Sequence, residues 1–315
     1  MKNKKTKGLI LAAGYGSRLK PISNRIPKPL WPLGGVTLLE MAITKLKSSG
    51  IKEIVVNTHH LSKSVDEFLR RKYKENIQVS IEKDILGTGG ALNPIKEWVG
   101  DSNLLIYNSD VITDFNLNTL LLEQKPDSLA TMLVLPESET AVNNVFFEKN
   151  LIRKIRGTSG LRAGAFSGVQ LVTPEFLQAI PNQTFSDIIE TYQTLLAQHK
   201  KITKIDLKGY WKDLGTPLSF FQAHQDLLKM SEAKRQKIGW INTGVIIDKK
   251  SIIDRKVHFE NRKSIGNNVF LYKVGDLQPT IKLENVIIFD TGSLADDDYS
   301  NMIIHGSETI QLNQV

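Results

Sequence analysis

The sequence predicts an α/β chain on a mostly parallel sheet flanked by helices, followed by a small β-repeat region. Three observations carry this expectation. Short apolar runs alternate with amphipathic segments through about residue 125. A mixed pattern of strands and helices follows from residue 129. From Trp240 the texture changes to Val/Ile pairs between polar turns, and Asn285-Val-Ile-Ile-Phe289 returns as Asn301-Met-Ile-Ile-His305 after 16 residues.

Taken in order, residues 7–13 form an apolar run stopped by glycine, the pattern of a buried strand. Thr37 to Ser49 puts Leu38, Met41, Ala42 and Leu46 at helical spacing, and Gly50 stops that helix. Ile54 to Val56 reads as a strand and Val65 to Tyr73 as a helix. Val79 to Ile81 and Leu104 to Tyr107 are further strands, with a helix over Ala91 to Val99 between them. A sheet of this kind binds ligands beyond the carboxyl ends of its strands. Later strands are expected at 129–135, 144–148, 164–172, 202–207 and 210–213, with helices at 186–198 and 217–229; Met230 to Gln236 is a polar linker or helix end. Ile265-Gly266-Asn-Asn-Val269 has the character of a hexapeptide-repeat turn, so the tail is expected to be a short β-solenoid, left-handed β-helix-like, with a plain antiparallel unit as the alternative. The expected domains are 1–230 and 240–315.

Composition excludes several functions. The 315 residues carry a net charge of +8, but the basic residues are scattered and lack interleaved aromatics, so anionic small molecules are expected as partners and nucleic acid is not. With no cysteine, disulfides, thiolate zinc sites, iron–sulfur ligation and Cys nucleophiles are all excluded. The basic start Met1–Lys7 is followed only by Leu9–Ala13, too short for a signal-peptide core, and no stretch approaches the ~18 apolar residues of a membrane span. The expected location is cytoplasmic, with no membrane association.

Chemistry concentrates in Leu11-Ala-Ala13-Gly14-Tyr-Gly16-Ser17-Arg18-Leu19. A glycine turn directly after a strand lets backbone N–H groups approach phosphate oxygens. It is not a dinucleotide fingerprint: Leu19 occupies the third glycine position, and Asn57, Thr58, His59 and His60 stand where a ribose-binding acid belongs. GxxxxGK[ST] is absent as well. Arg18 follows the glycines, and Lys28 sits between prolines in Ile26-Pro27-Lys28-Pro29-Leu30, which fix its backbone. A bidentate Arg, a point-charge Lys and a glycine turn make a polyphosphate site.

Leu11 through Leu33 resembles the signature of the sugar-1-phosphate nucleotidyltransferases, the nucleoside-diphosphate-sugar pyrophosphorylases: LAAGxGxRLxP, then PKP-aliphatic-xP. The likeness continues in Leu86-Gly87-Thr88-Gly89-Gly90-Ala91, Asn108-Ser109-Asp110 and Tyr210-Trp-Lys-Asp213-Leu-Gly215-Thr216-Pro217, covering about residues 7–229. In style it is similar to mannose-1-phosphate guanylyltransferases and N-acetylmuramate-1-phosphate uridylyltransferases. The resemblance implies a Rossmann-like nucleotidyltransferase fold and the reaction NTP plus sugar 1-phosphate to NDP-sugar plus pyrophosphate, with Mg²⁺. It implies nucleotide binding by Leu11, Ala13, Gly14, Gly16, Ser17, Glu82, Gly87, Thr88 and Gly89, a sugar-facing Gly168, and metal binding by Asp110 and Asp213. Two carboxylates with phosphate oxygens suit Mg²⁺.

The attacking group in that reaction is an already ionised phosphate, so no general base is required. Lys28 and Mg²⁺ are assigned to the α-phosphate and Arg18 to the β- and γ-phosphates. UTP and GTP are the favoured donors. The chain departs from relatives that carry Glu-Lys-Pro after the central strands; it has Lys154-Ile-Arg156-Gly-Thr, leaving Arg153, Lys154 and Arg156 as candidate anchors for the sugar phosphate. His59-His60 reads as a loop pair, since neighbours on an extended segment point to opposite faces. Trp31 and Trp211 read as packing residues. The alternatives are an inactive NDP-sugar-binding regulatory subunit, a phosphocholine-type cytidylyltransferase, and an acyltransferase using the repeat tail; the tail itself reads as an assembly element, compatible with a homo-oligomer.

Overall fold

The computed structural model describes residues 5–74, 77–136, 144–182, 185–258, 265–278, 280–292 and 294–312. Met1–Lys4 of the basic N-terminal run lie outside the described residues. The chain forms two compact units interleaved in sequence, residues 1–14 with 42–211 and residues 15–41 with 212–315.

The first unit is built on nine strands: β1 (Thr6–Leu11), β2 (Ile54–Thr58), β3 (Ile77–Ile81), β4 (Asn103–Asn108), β5 (Ala130–Pro136), β6 (Asn144–Glu148), β7 (Leu151–Ile155), β8 (Arg162–Val172) and β9 (Ile202–Asp206). Their order is β3-β2-β1-β4-β8-β5-β9-β7-β6. The expected parallel arrangement is present in β3-β2-β1-β4, where helices α1 (Leu38–Ser48) and α2 (Ser62–Tyr73) lie between successive strands. It does not extend to the whole sheet, which is mixed. β8 runs antiparallel to β4, β5 and β6, and β7 is antiparallel to β6 and β9; only β5–β9 is parallel in that half. Connection length accounts for one of these reversals: Lys149 and Asn150 alone separate β6 from β7, and a two-residue link makes a hairpin.

Alternation along β1 explains how both faces are covered. Leu9 joins Val55, Leu104 and Ile106 in a core with Leu92, Ile95 and helix α3 (Ile188–Ala197), through Ile188 and Tyr192. Its neighbour Gly8 faces the other way, where a Cβ would lie 2.5 Å from Leu46 of α1. The helix expected over Ala91–Val99 is two short pieces, Asn93–Ile95 and Lys96–Val99, because Pro94 has no N–H to continue a ladder. The stretch expected as a polar linker forms the helix Glu232–Lys237, whose N-cap Ser231 accepts from Lys234 N–H.

The second unit holds a six-stranded sheet in sequence order: β10 (Val245–Ile247), β11 (Ser251–Asp254), β12 (Val269–Val274), β13 (Lys282–Thr291), β14 (Asp298–His305) and β15 (Glu308–Gln311). The four central strands pair in parallel and the outer two antiparallel. Asn268, Asn285 and Asn301 each take a left-handed conformation, φ 53° to 54°, and five residues later Lys273, Asp290 and Gly306 do the same at 50° to 57°. These are two corners recurring in register. Asn tolerates this backbone because its short amide bonds locally, and the three amides form a ladder, Asn268 Nδ2 to Asn285 Oδ1 at 2.8 Å and Asn285 Nδ2 to Asn301 Oδ1 at 3.1 Å.

Between the corners the strands show two faces. Val269, Leu271, Val286, Ile288 and Ile304 form one apolar core. Phe270, Tyr272 and Phe289 point to the other face. There helix α4 (Pro217–Lys229) packs its His224 ring 4.8 Å from Phe270 and 5.8 Å from Tyr272. His224 is fully buried, and burial pulls its pKa down to about 4, partly offset by its bond to the Phe220 carbonyl.

Two outcomes are expected. Asn285→Ala removes both ladder bonds and leaves a non-Gly residue in a left-handed corner, so unfolding in urea shows a loss of about 1–3 kcal/mol; Asn285→Gly, which relieves the backbone, loses less. For His224, the unfolded imidazole protonates below about pH 6.5 while the folded one stays neutral to about pH 4. Acid therefore favours unfolding inside that window. Stability falls between pH 6.5 and 4 by roughly 3 kcal/mol from this group, and His224→Phe flattens that part of the pH–stability curve.

Candidate functional site

In the first unit, motif residues gather at the carboxyl ends of β1, β2, β3 and β4. Leu11 ends β1, and its carbonyl accepts from Ser109 N–H at 3.0 Å, tying the start of the glycine turn to the Asn108-Ser109-Asp110 turn. Ala12 N–H donates to Asn57 Oδ1 at 2.8 Å, and Asn57 Nδ2 donates to Glu82 Oε1 at 2.6 Å. Glu82 Oε2 accepts from Leu86 N–H at 2.9 Å. Glu82 is thus neither a solvated strand-end acid nor open to water; it is buried, and both oxygens brace loops from three strand ends. His59 Nδ1–H donates to the Glu82 carbonyl at 3.0 Å, which gives one member of the His pair a structural role.

Ala13 is buried and Gly14 exposed. A Cβ on Gly14 would project into open space, so neither packing nor a left-handed backbone requires glycine there. Its bareness leaves the main chain approachable.

Gly87 and Gly89 have a different reason. Gly89 and Gly90 N–H groups both donate to the Ser186 carbonyl, at 2.8 and 3.2 Å. A Cβ on Gly87 would lie 2.6 Å from that same oxygen, and one on Gly89 2.7 Å from Ser186 Oγ. The missing side chains admit the Ser186–Ile188 segment. Thr88 Oγ1 donates to Asp187 Oδ1 at 3.2 Å and accepts from Ile188 N–H at 3.1 Å. Asp187 caps α3 and also receives Arg156 Nη2 at 2.7 Å. Of the three candidate anchors, Arg156 is therefore linked to the Gly87–Gly90 turn, whereas Arg153 pairs with Glu148 and Lys154 donates to Thr158 O.

Asp110 follows β4 and is half-buried. Beside it, burial pushes the Tyr107 phenol well above its ordinary range, and the Asp110 charge pushes it the same way. Gly168, at φ 83°, lies in a bulge of β8; a Cβ there would sit 2.8 Å from Asn108 Nδ2 and 3.1 Å from Val111. The space freed by this glycine is filled by protein, so it is packing at the end of β4 that requires it. Trp211 Nε1–H donates to Ser167 O at 3.0 Å, which gives Trp211 the packing role expected of it. The neighbouring Tyr210 is clasped by Asp114, whose Oδ1 accepts its N–H at 2.7 Å.

The second unit holds the cations. Gly16, at φ 61°, opens a one-turn 3₁₀ helix Ser17–Leu19, and Leu19 N–H donates to Gly16 O at 2.8 Å. Leu19, in the place of a third glycine, is fully buried. Ser17 and Arg18 are exposed. Lys28 opens the third 3₁₀ turn of this segment, and its Cβ lies 3.6 Å from where a Gly16 side chain would begin. A Cβ on Gly215 would collide with the Arg18 guanidinium and lie 2.5 Å from Asp213 Oδ1, which already accepts the Gly215 N–H at 2.7 Å. Arg18 and Asp213 therefore converge over Gly215, a residue whose role sequence spacing alone did not single out.

Among the described residues no three His, Cys, Asp or Glu side chains cluster as a metal site. Asp110 in the first unit and Asp213 in the second each offer hard carboxylate oxygens, the donor type that Mg²⁺ takes together with phosphate oxygens and water. A groove of about 940 Å³ opens at the other edge of the first unit's sheet, by Thr6 and Asn103 at the amino ends of β1 and β4. Of its lining charges Lys5 pairs with Glu53, and Asp127 pairs with Lys201 outside the lining; the motif residues are elsewhere. Among the described residues no helix is long and apolar enough to cross a membrane.

The chain is similar to known proteins over most of its length. The nucleotidyl transferase family model matches residues 7–142. Similar proteins include a mannose-1-phosphate guanyltransferase from Yarrowia lipolytica, 31% identical over 68% of this chain and 62% of the relative. One of the same name from Kluyveromyces lactis is 31% identical over 77% of this chain and 71% of the relative. The chain thus spans less than two thirds of the Yarrowia protein's length. Among solved structures, a UDP-glucose pyrophosphorylase complexed with UDP-glucose matches with a TM-score of 0.60 at 20% identity, over 71% of this chain and 98% of that one, a likeness of fold. The chain belongs to the nucleotidyl transferase family.

Proposed function

We propose that this protein transfers a nucleotidyl group from an NTP to a sugar 1-phosphate, releasing pyrophosphate. A phosphate oxygen of the sugar 1-phosphate forms a bond to the α-phosphorus; the bond from that phosphorus to the bridging α–β oxygen breaks, and pyrophosphate leaves with the electron pair. The convergence of Arg18 and Asp213 over Gly215, with Lys28 beside Gly16, carries this reading. The acceptor is already ionised at neutral pH, so catalysis consists of alignment and charge neutralisation. Lys28 takes the α-phosphate and Arg18 the β- and γ-phosphates. Bare backbone at Gly14 and Gly16, with Leu11, Ala13 and Ser17, receives the nucleotide. Glu82 holds those loops, and Gly87, Thr88 and Gly89 form the base-side wall. The sugar lies toward Gly168, and Arg156 is assigned to its phosphate. Asp110 and Asp213 would hold Mg²⁺, which when bound screens the phosphate charges from the incoming anion.

In this reading residues 1–230 form the catalytic domain and residues 240–315 a short left-handed β-helix-like repeat. The shared activity named for the yeast relatives makes GTP with mannose 1-phosphate the first pair to test.

Pyrophosphate release is expected with Mg²⁺ for one NTP and one sugar 1-phosphate from a crossed panel, and to vanish in Asp110→Ala. Release from no pair, with NDP-sugar still bound, would instead mark a regulatory subunit. Lys28→Met is expected to lower kcat by about 10²–10³, the usual effect of losing a transition-state donor, with Tm close to wild type because the Lys28 side chain is not in the core.

A further inference from the structure

The segment carrying Arg18 and Lys28, Tyr15–Leu33, holds only single 3₁₀ turns and a two-residue strand, Pro32–Leu33. It lacks the internal ladders that would make it rigid by itself. Leu19, Ile22, Trp31 and Leu33 anchor it, all fully buried, and Trp31 is the one that bonds the main chain at Lys28. The Trp31 backbone N–H donates to Lys28 O at 2.9 Å and its indole N–H to Ile26 O at 3.2 Å, so one residue grips the main chain at Lys28 and again two residues before it. The indole in turn rests against Phe220 of α4, with centroids 5.1 Å apart, and against Phe289 of β13, 5.5 Å apart.

The adjoining turn is held by the same region. Gly34 N–H donates to Tyr272 Oη at 3.1 Å, Gly34 O accepts from Trp240 Nε1 at 2.9 Å, and Gly35 O accepts from Thr243 Oγ1 at 3.1 Å. Arg25 pairs with Glu308 of β15 at 3.2 Å. Phe289 and Tyr272 both lie on the sheet face opposite the apolar core of Val269, Leu271 and Ile288.

We infer that the C-terminal β-sheet is the rigid bed of the cation loop: Phe289, through Trp31, and Tyr272, through Gly34, are positioning residues that hold Lys28 and Arg18 in register for the polyphosphate. This rests on the phosphate-binding roles proposed above. It gives the sheet a direct part in the chemistry besides any role in assembly. The mechanism is steric: removing ring volume at Phe289 frees the indole to tilt, and the Ile26–Lys28 main chain moves with its two hydrogen bonds. A displacement near 1 Å at a reacting group is enough to cost up to about a hundredfold in rate.

The test compares Phe289→Leu and Tyr272→Phe with Leu271→Val, which deletes volume on the other face of the same sheet. Hydrogen–deuterium exchange of the peptide spanning residues 26–34 and steady-state kinetics are both measured, each against Tm. The expected result is faster exchange at 26–34 in Phe289→Leu, with kcat down about ten- to a hundredfold, a smaller change of the same kind in Tyr272→Phe, and neither change in Leu271→Val. Unchanged exchange at 26–34 in Phe289→Leu, or the same loss in Leu271→Val at matched Tm, overturns the inference. The exchange arm needs no turnover, so it decides the mechanical coupling even if the wild type proves inactive and the proposed activity fails.

Discussion

The first unit depends on one buried carboxylate. Glu82 gathers the end of β1 through Asn57, the end of β2 directly, and the turn leading to Gly87 through Leu86 N–H. A buried carboxyl group is costly unless its oxygens are hydrogen-bonded, and here the donors are Asn57 and Leu86 N–H, on the loops beside the glycine motifs. The chain can leave Gly14 exposed at the carboxyl end of β1 because this network fixes where the main chain before it runs. Loops without such a brace would be mobile.

In the second unit aromatic contacts hold the loop, beside buried Glu40, which accepts from Thr37 N–H. Its cation loop has little secondary structure, and its anchors are aromatic: Trp31 against Phe220 and Phe289, and Tyr272 bonded to Gly34. Aromatic rings supply large contact area with few rotamers to freeze. The aromatic face is available because the repeat strands alternate, one side closing the apolar core and the other accepting α4 and the loop. Buried His224 belongs to this layer as a neutral ring, and its acid sensitivity follows from the same burial.

Glycine positions look alike in sequence and have different reasons in space. Gly14 faces open space, Gly16 adopts a left-handed backbone, Gly87 and Gly89 make way for Ser186, Gly168 makes way for Asn108, and Gly215 makes way for Arg18 and Asp213. At Gly87, Gly89 and Gly168 the room is taken by the protein's own chain, which only the tertiary structure reveals.

By itself the sequence determined the elements whose signals are local. Residues 144–148 and 217–229 were placed to the residue, because a hairpin turn and a Thr-Pro cap mark their ends. It determined the cation pair, since Arg18 and Lys28 lie in a glycine turn and a Pro-Lys-Pro frame. It also determined the 16-residue repeat, whose asparagines stand at recurring left-handed corners. The tertiary structure decided what depends on distant partners. Strand direction after β4 follows from pairing across the sheet, which periodicity does not encode. The convergence of Asp213 with Arg18, 195 positions apart in the chain, and the seating of Trp31 on Phe289 are long-range contacts: each local segment would look the same without them, and only packing selects them.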